Sequence, residues 1–128
     1  MGIDLLFDTN ILIYLSKNEL QLKDIAKPGD RIFISAITLM EVKGFPFRSV
    51  AEESLIDKLC NQMILLYIEE PIIEKVIENR KKNMLKLPDA IILATALVHK
   101  QILITRNTSD FSTTSPNIEI RNPFFTAR

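Results

Sequence analysis

Four acidic residues flank apolar segments of the chain: Asp8 after Ile3–Phe7, Glu41 within 36–43, Asp89 at the head of 90–99, and Asp110 shortly after 102–105. Carboxylates gathered in one cleft raise each other's pKa values and repel unless a cation stands among them. Hard divalent ions such as Mg²⁺ take oxygen ligands of this kind. A shared site for Asp8, Glu41, Asp89 and Asp110 would therefore hold Mg²⁺, with Mn²⁺ as the other candidate. A zinc site built on nitrogen and sulfur is excluded, because His99 is the only histidine and Cys60 the only cysteine. Taken singly, each acid also has a plainer reading. Asp8 suits a helix cap, Glu41 a solvated helix edge, Asp89 a Pro-Asp helix start and Asp110 a turn. Only a common position in the fold would unite them.

The elements that must position these acids follow from hydrophobic periodicity. Ile3–Phe7 is a nearly continuous apolar run, as in a strand buried on both faces, and Asp8-Thr9 can cap a helix from about Asn10. Residues 19–26 read as a second helix, ended by the turn Lys27-Pro28-Gly29-Asp30. A strand at Arg31–Ser35 leads into a helix over 36–43, stopped by Gly44 and Pro46, and 50–62 returns to helical spacing. Residues 63–68 predict a third strand. Pro71 then opens a helix with Ile72, Ile73, Val76 and Ile77 on one side, before a basic polar stretch over 79–86. After the helix headed by Leu87-Pro88-Asp89 come a strand at 102–105, a polar stretch from Arg106 to 116, and a short strand at 118–120.

Alternating strands and helices imply right-handed crossovers and a parallel sheet covered on both faces. The 128 residues, 47% hydrophobic, suit one domain spanning 1–128. Asp8, Glu41 and Asp110 then belong to the same rim of the sheet, and Asp89 joins them if its helix runs antiparallel to the strands.

Acids and bases balance at 16 each, so any nucleic-acid surface must be local. The strongest local excess runs from Lys75 to Arg106, with seven Lys/Arg against two acids. Arg80, Lys81, Lys82, Lys86 and Arg106 are the candidate phosphate contacts, and a solvated helix end is the alternative. Cys60, in an apolar helical context, is expected to be a small, partly buried residue. No apolar run approaches the roughly 18 residues of a membrane span, and Asp4 and Asp8 occupy the place of a basic leader, so a cytoplasmic location is expected. The rings of Phe45, Phe47, Phe124 and Phe125 lie in a loop and the tail, and require cover from this domain or another subunit.

Four segments carry a family resemblance: Asp8-Thr9-Asn10, Ile34 through Glu41, Pro88 through Ala96, and Thr105 through Phe111. In order and spacing they resemble the acidic motifs of PIN-domain nucleases. With the short length and the tail Ile120-Arg121-Asn122-Pro123-Phe124, the chain resembles the VapC-type toxins of toxin-antitoxin pairs. The resemblance implies a three-layer α/β domain with a central, mainly parallel sheet of about five strands flanked by helices. It further implies a Mg²⁺- or Mn²⁺-dependent endoribonuclease, a homodimer, and a small antitoxin protein that blocks the acidic cleft. Asp8, Glu41 and Asp89 match the three core acids, Asp110 the fourth, and Thr9 the hydroxyl residue of the site. Asn107 stands where some relatives place an acid, and 44–83 aligns with no motif. The implied chemistry is hydrolysis of RNA phosphodiester bonds by metal-activated water. A phosphatase of the haloacid-dehalogenase type fits less well, since its second aspartate would fall at Asn10. A receiver domain would need paired acids and a late lysine. The non-enzymatic alternative is a degenerate PIN domain that binds RNA or assembles without catalysis.

Overall fold

A computed structural model of the chain describes residues 2–82, 84–112 and 117–126. Its strands are β1 (Asp4–Phe7), β2 (Arg31–Ser35), β3 (Ile64–Leu66), β4 (Ile102–Ile104) and β5 (Ile120–Arg121). They form one sheet in the order β3-β2-β1-β4-β5, and every pairing is parallel. The helices are α1 (Thr9–Ser16), α2 (Ala36–Lys43), α3 (Val50–Gln62), α4 (Glu70–Lys82), α5 (Leu87–His99), α6 (Thr108–Ser112) and α7 (Pro123–Thr126).

Pleat periodicity divides the core in two. Leu5, Phe7, Ile34 and Ile104 pack with Ile11, Leu12, Val42, Ile56 and Leu59 of α1, α2 and α3. Leu6, Phe33 and Leu103, on the opposite face, pack with Ile72, Val76 and the buried stripe of α5. The result is the expected three-layer α/β arrangement. Helix α5 is apolar nearly all round and buried from Ala90 to Ala96, which accounts for its run of Ile, Leu and Ala, interrupted only by Thr95, whose hydroxyl donates to the Ile91 carbonyl at 2.7 Å.

The strand order reverses direction of growth at β1, whose neighbours are β2 and β4. Ligands in such sheets bind outside the carboxyl ends of the strands at this switch point. The backbone N–H of Asp8 donates to the Ile104 carbonyl at 3.1 Å, so Asp8 and Thr105 leave their strands side by side.

Several local expectations change. Residues 19–26 form only a single 3₁₀ turn at Leu22–Asp24. An eight-residue stretch has little helical stability alone, and here Leu22, Ile25 and Ala26 pack onto the α1–α3 side of the core as a loop instead. Asn18, in the left-handed region at φ 59, lies just beyond the end of α1. The basic stretch after Ile77 is largely helical, since α4 continues to Lys82. Within the polar segment after β4, Thr108–Ser112 is helical, anchored by the buried Phe111, while 113–116 lie outside the described residues. The last strand is shifted to Ile120–Arg121. Phe47 packs against the core with Phe45 at 4.7 Å between ring centroids, and the Lys17 ammonium lies 5.8 Å from the Phe45 ring, so these loop rings gain cover within the domain.

Candidate active site

Asp8 is both a helix cap and a cleft residue. Its Oδ1 accepts the N–H of Ile11 at 3.1 Å, capping α1, and its Oδ2 accepts the hydroxyl of Thr105. The residue is 6% exposed. Burial pushes its carboxyl up to about 6. The proximity of Asp89 adds to the rise, while the Thr105 hydroxyl and the backbone N–H groups of Ile11 and Asn10 oppose it.

Glu41 lies on α2, which Ser35 caps by accepting the Ile37 N–H at 3.2 Å. The Thr9 hydroxyl donates to Glu41 Oε1 at 2.5 Å and lies 3.2 Å from the buried Thr38 hydroxyl. Glu41 is exposed but oriented by that contact. Asp89 sits in the first turn of α5, whose N-cap residue, Lys86, makes no side-chain cap bond. Its carboxyl is raised by partial burial and then by Glu41 and Asp110, with Lys86 opposing. Asp8, Thr9, Asn10, Glu41, Asp89 and Ile92 line one cleft of about 110 Å³.

Three of the four expected acids thus share the cleft. Asp110 stands at its margin, within electrostatic reach of Asp89, where its Oδ2 accepts Asn107 Nδ2 at 3.0 Å. Among the described residues no three Asp, Glu, His or Cys side chains are already spaced to hold a metal ion. The donor set nevertheless fits a hard divalent cation. It consists of carboxylate oxygens, and two of the acids, Asp8 and Asp89, are destabilised as anions by burial and by neighbouring carboxylates.

This architecture has known counterparts. The PIN domain profile matches residues 5–115. The chain belongs to the PIN-domain family. PIN domains are nucleases, and such nucleases usually use divalent metals. The fold superposes on a chain of a toxin-antitoxin complex from Klebsiella pneumoniae with TM-score 0.72 and 37% identity, over 93% of this chain and 97% of that one. For VapBC-1 from nontypeable Haemophilus influenzae the values are 0.74 and 25%, over 95% and 99%. For DNA-bound VapBC from Salmonella typhimurium they are 0.75 and 22%, over 94% and 98%, a likeness of fold. No curated protein sequence matches the chain significantly.

The basic candidates of this PIN domain separate. Lys86 acts electrostatically on Asp89 and so adjoins the acids. Arg80 and Lys81 instead line a second concavity, of about 480 Å³, with Ile73, Ile77, Leu87 and Ile91 of α4 and α5. Lys82 pairs with Glu78 at 3.8 Å. Arg106 stacks over Phe124 at 4.4 Å and over Tyr14 at 5.4 Å and donates to the Tyr14 hydroxyl at 3.2 Å, holding the tail against α1.

Two residues escaped sequence reading. Thr105 closes an apolar strand and contacts Asp8, a relation visible only once β1 and β4 are known to be neighbours. Thr38 is a polar residue buried beneath Thr9, and nothing in its helical spacing distinguishes it.

Proposed function

We propose that this PIN domain is a divalent-metal-dependent endoribonuclease and the toxin of a toxin-antitoxin pair. The observation that carries the reading is the convergence of Asp8, Glu41 and Asp89 on one cleft at the switch point, with Asp8 and Asp89 pushed up by burial and by neighbouring carboxylates. Asp8, Glu41 and Asp89 would hold Mg²⁺ or Mn²⁺, with Asp110 completing the set. A bound ion supplies positive charge that stabilises charge developing on the phosphodiester and makes water a stronger nucleophile.

The chain's own groups do the rest. Thr9 fixes the Glu41 carboxylate. Lys86 offers a cation beside the acids, where the RNA backbone would otherwise be repelled. Asn107 holds Asp110 at the margin. The neighbours that come from toxin-antitoxin and VapBC complexes favour a small antitoxin protein as the partner that covers the cleft. Among the described residues no helix is long and apolar enough to cross a membrane, in keeping with a cytoplasmic setting.

The α4–α5 groove supports a homodimer. Helix α4 presents exposed Ile73 and Ile77, carries Glu70 and Glu74 in its first half, and ends on Arg80, Lys81 and Lys82. Two copies of such a helix packed antiparallel about a two-fold axis set acids against bases around an apolar centre.

The test is cleavage of single-stranded RNA by the purified chain. Activity should need Mg²⁺ or Mn²⁺ and stop on chelation. Absence of cleavage together with absence of divalent-ion binding would overturn the enzyme and favour a degenerate RNA-binding or assembly module.

A further inference from the structure

Thr105 is fully buried although polar, and it is fixed from three directions. Its backbone N–H donates to the Arg121 carbonyl at 3.0 Å, joining it to β5. Its hydroxyl accepts the Asn107 backbone N–H at 3.0 Å and donates to Asp8 Oδ2. A threonine hydroxyl has a single proton, and the Asn107 amide can only donate, so that proton is committed to Asp8. With Ile11 N–H on Oδ1, both oxygens of Asp8 are set by donors from different segments. Asn107 extends the chain of contacts, its Nδ2 donating to Asp110 Oδ2 at 3.0 Å. An unbroken path of hydrogen bonds thus runs from the end of β1 through the end of β4 to the first turn of α6.

We propose that Thr105 is a positioning residue: it orients Asp8 toward the cleft and, through Asn107, sets Asp8 and Asp110 as one unit. The inference rests on the reading of the cleft as a divalent-ion site. Groups behind first ligands typically change ion affinity about 10–100-fold when removed. Valine is close to threonine in shape but lacks the hydroxyl. Thr105→Val therefore leaves Asp8 Oδ2 without its donor and the Asn107 N–H without its acceptor while keeping the packing.

The experiment is Mn²⁺ titration calorimetry on the full chain, with thermal unfolding of the metal-free protein in parallel. Thr105→Val should weaken Mn²⁺ binding about 10–100-fold, and Thr105→Ser should stay within about threefold of the parent. Should the valine variant fail to fold, Thr105→Cys, with a weak S–H donor, reads the same contrast and should bind more weakly than the serine variant. Parental affinity in the folded valine variant, or equal losses in the serine and valine variants, would overturn the role of Thr105 while leaving the nuclease reading intact. With valine unfolded, a cysteine variant that binds as tightly as the serine one would do the same. A parent chain that binds no Mn²⁺ would overturn both.

Discussion

The acidic cleft and the α4–α5 groove are opposite kinds of concavity. The cleft is small, about 110 Å³, and two of its carboxylates, Asp8 and Asp89, are made uncomfortable as anions by burial and crowding. The groove is larger, about 480 Å³, mostly apolar, with Arg80 and Lys81 on its wall. Size points to the groove and chemistry to the cleft. Perturbed, converging titratable groups mark a reactive site, whereas an amphipathic wall marks a contact surface. The two differ again in how their side chains are held. Asp8 and Glu41 are fixed by hydroxyl donors, while Ile73 and Ile77 of the groove stand about half exposed.

If that division is right, substitutions should separate the two regions. Asp89→Asn should reduce RNA cleavage on the order of 10²–10³-fold or more without loss of fold, as judged by rates and circular dichroism. Ile77→Asp, by contrast, should raise the dimer dissociation constant at least about tenfold, measured by sedimentation, with divalent-ion affinity unchanged. Cleavage lost equally in both variants would erase the distinction.

A third prediction uses the pH dependence of stability. Because the folded state raises the Asp8 carboxyl from 3.8 to about 6, it holds that proton more tightly than the unfolded chain does. Metal-free stability should therefore fall as pH rises between about 4 and 6, by up to about 3 kcal/mol from this group. Asp8→Asn removes that contribution. The stability difference, variant minus parent, should grow across this window and level off above it in urea titrations. A flat difference would show that the cleft does not strain Asp8. The smallest expected effect concerns the cations. Lys86→Ala should raise the KM for RNA about fivefold, a loss of roughly 1 kcal/mol, while Arg80→Ala and Lys81→Ala should act mainly on self-association.

Much of this was legible in the chain. Buried parallel strands announce themselves as apolar runs, so Ile3–Phe7 and Arg31–Ser35 were placed within a residue, and the acid after each could be assigned to one rim. The place of Asp89 depends on the direction of α5, which tertiary packing decides. The stretch 19–26 misled, since its apolar residues serve a loop as well as a helix. The separation of Lys86 from Arg80 and Lys81 was also hidden: all precede Asp89 in sequence, but α4 carries the latter two to another face. The contact of Thr105 with Asp8 cannot be read without the β1–β4 pairing, since the two residues lie 97 apart along the chain.

The central claim is that Asp8, Glu41 and Asp89 converge on a divalent cation. Anomalous X-ray diffraction from crystals soaked in Mn²⁺ tests it most directly. The account predicts a peak bounded by the carboxylates of these three residues that disappears in Asp8→Asn crystals; no peak in the cleft of the parent protein would contradict it.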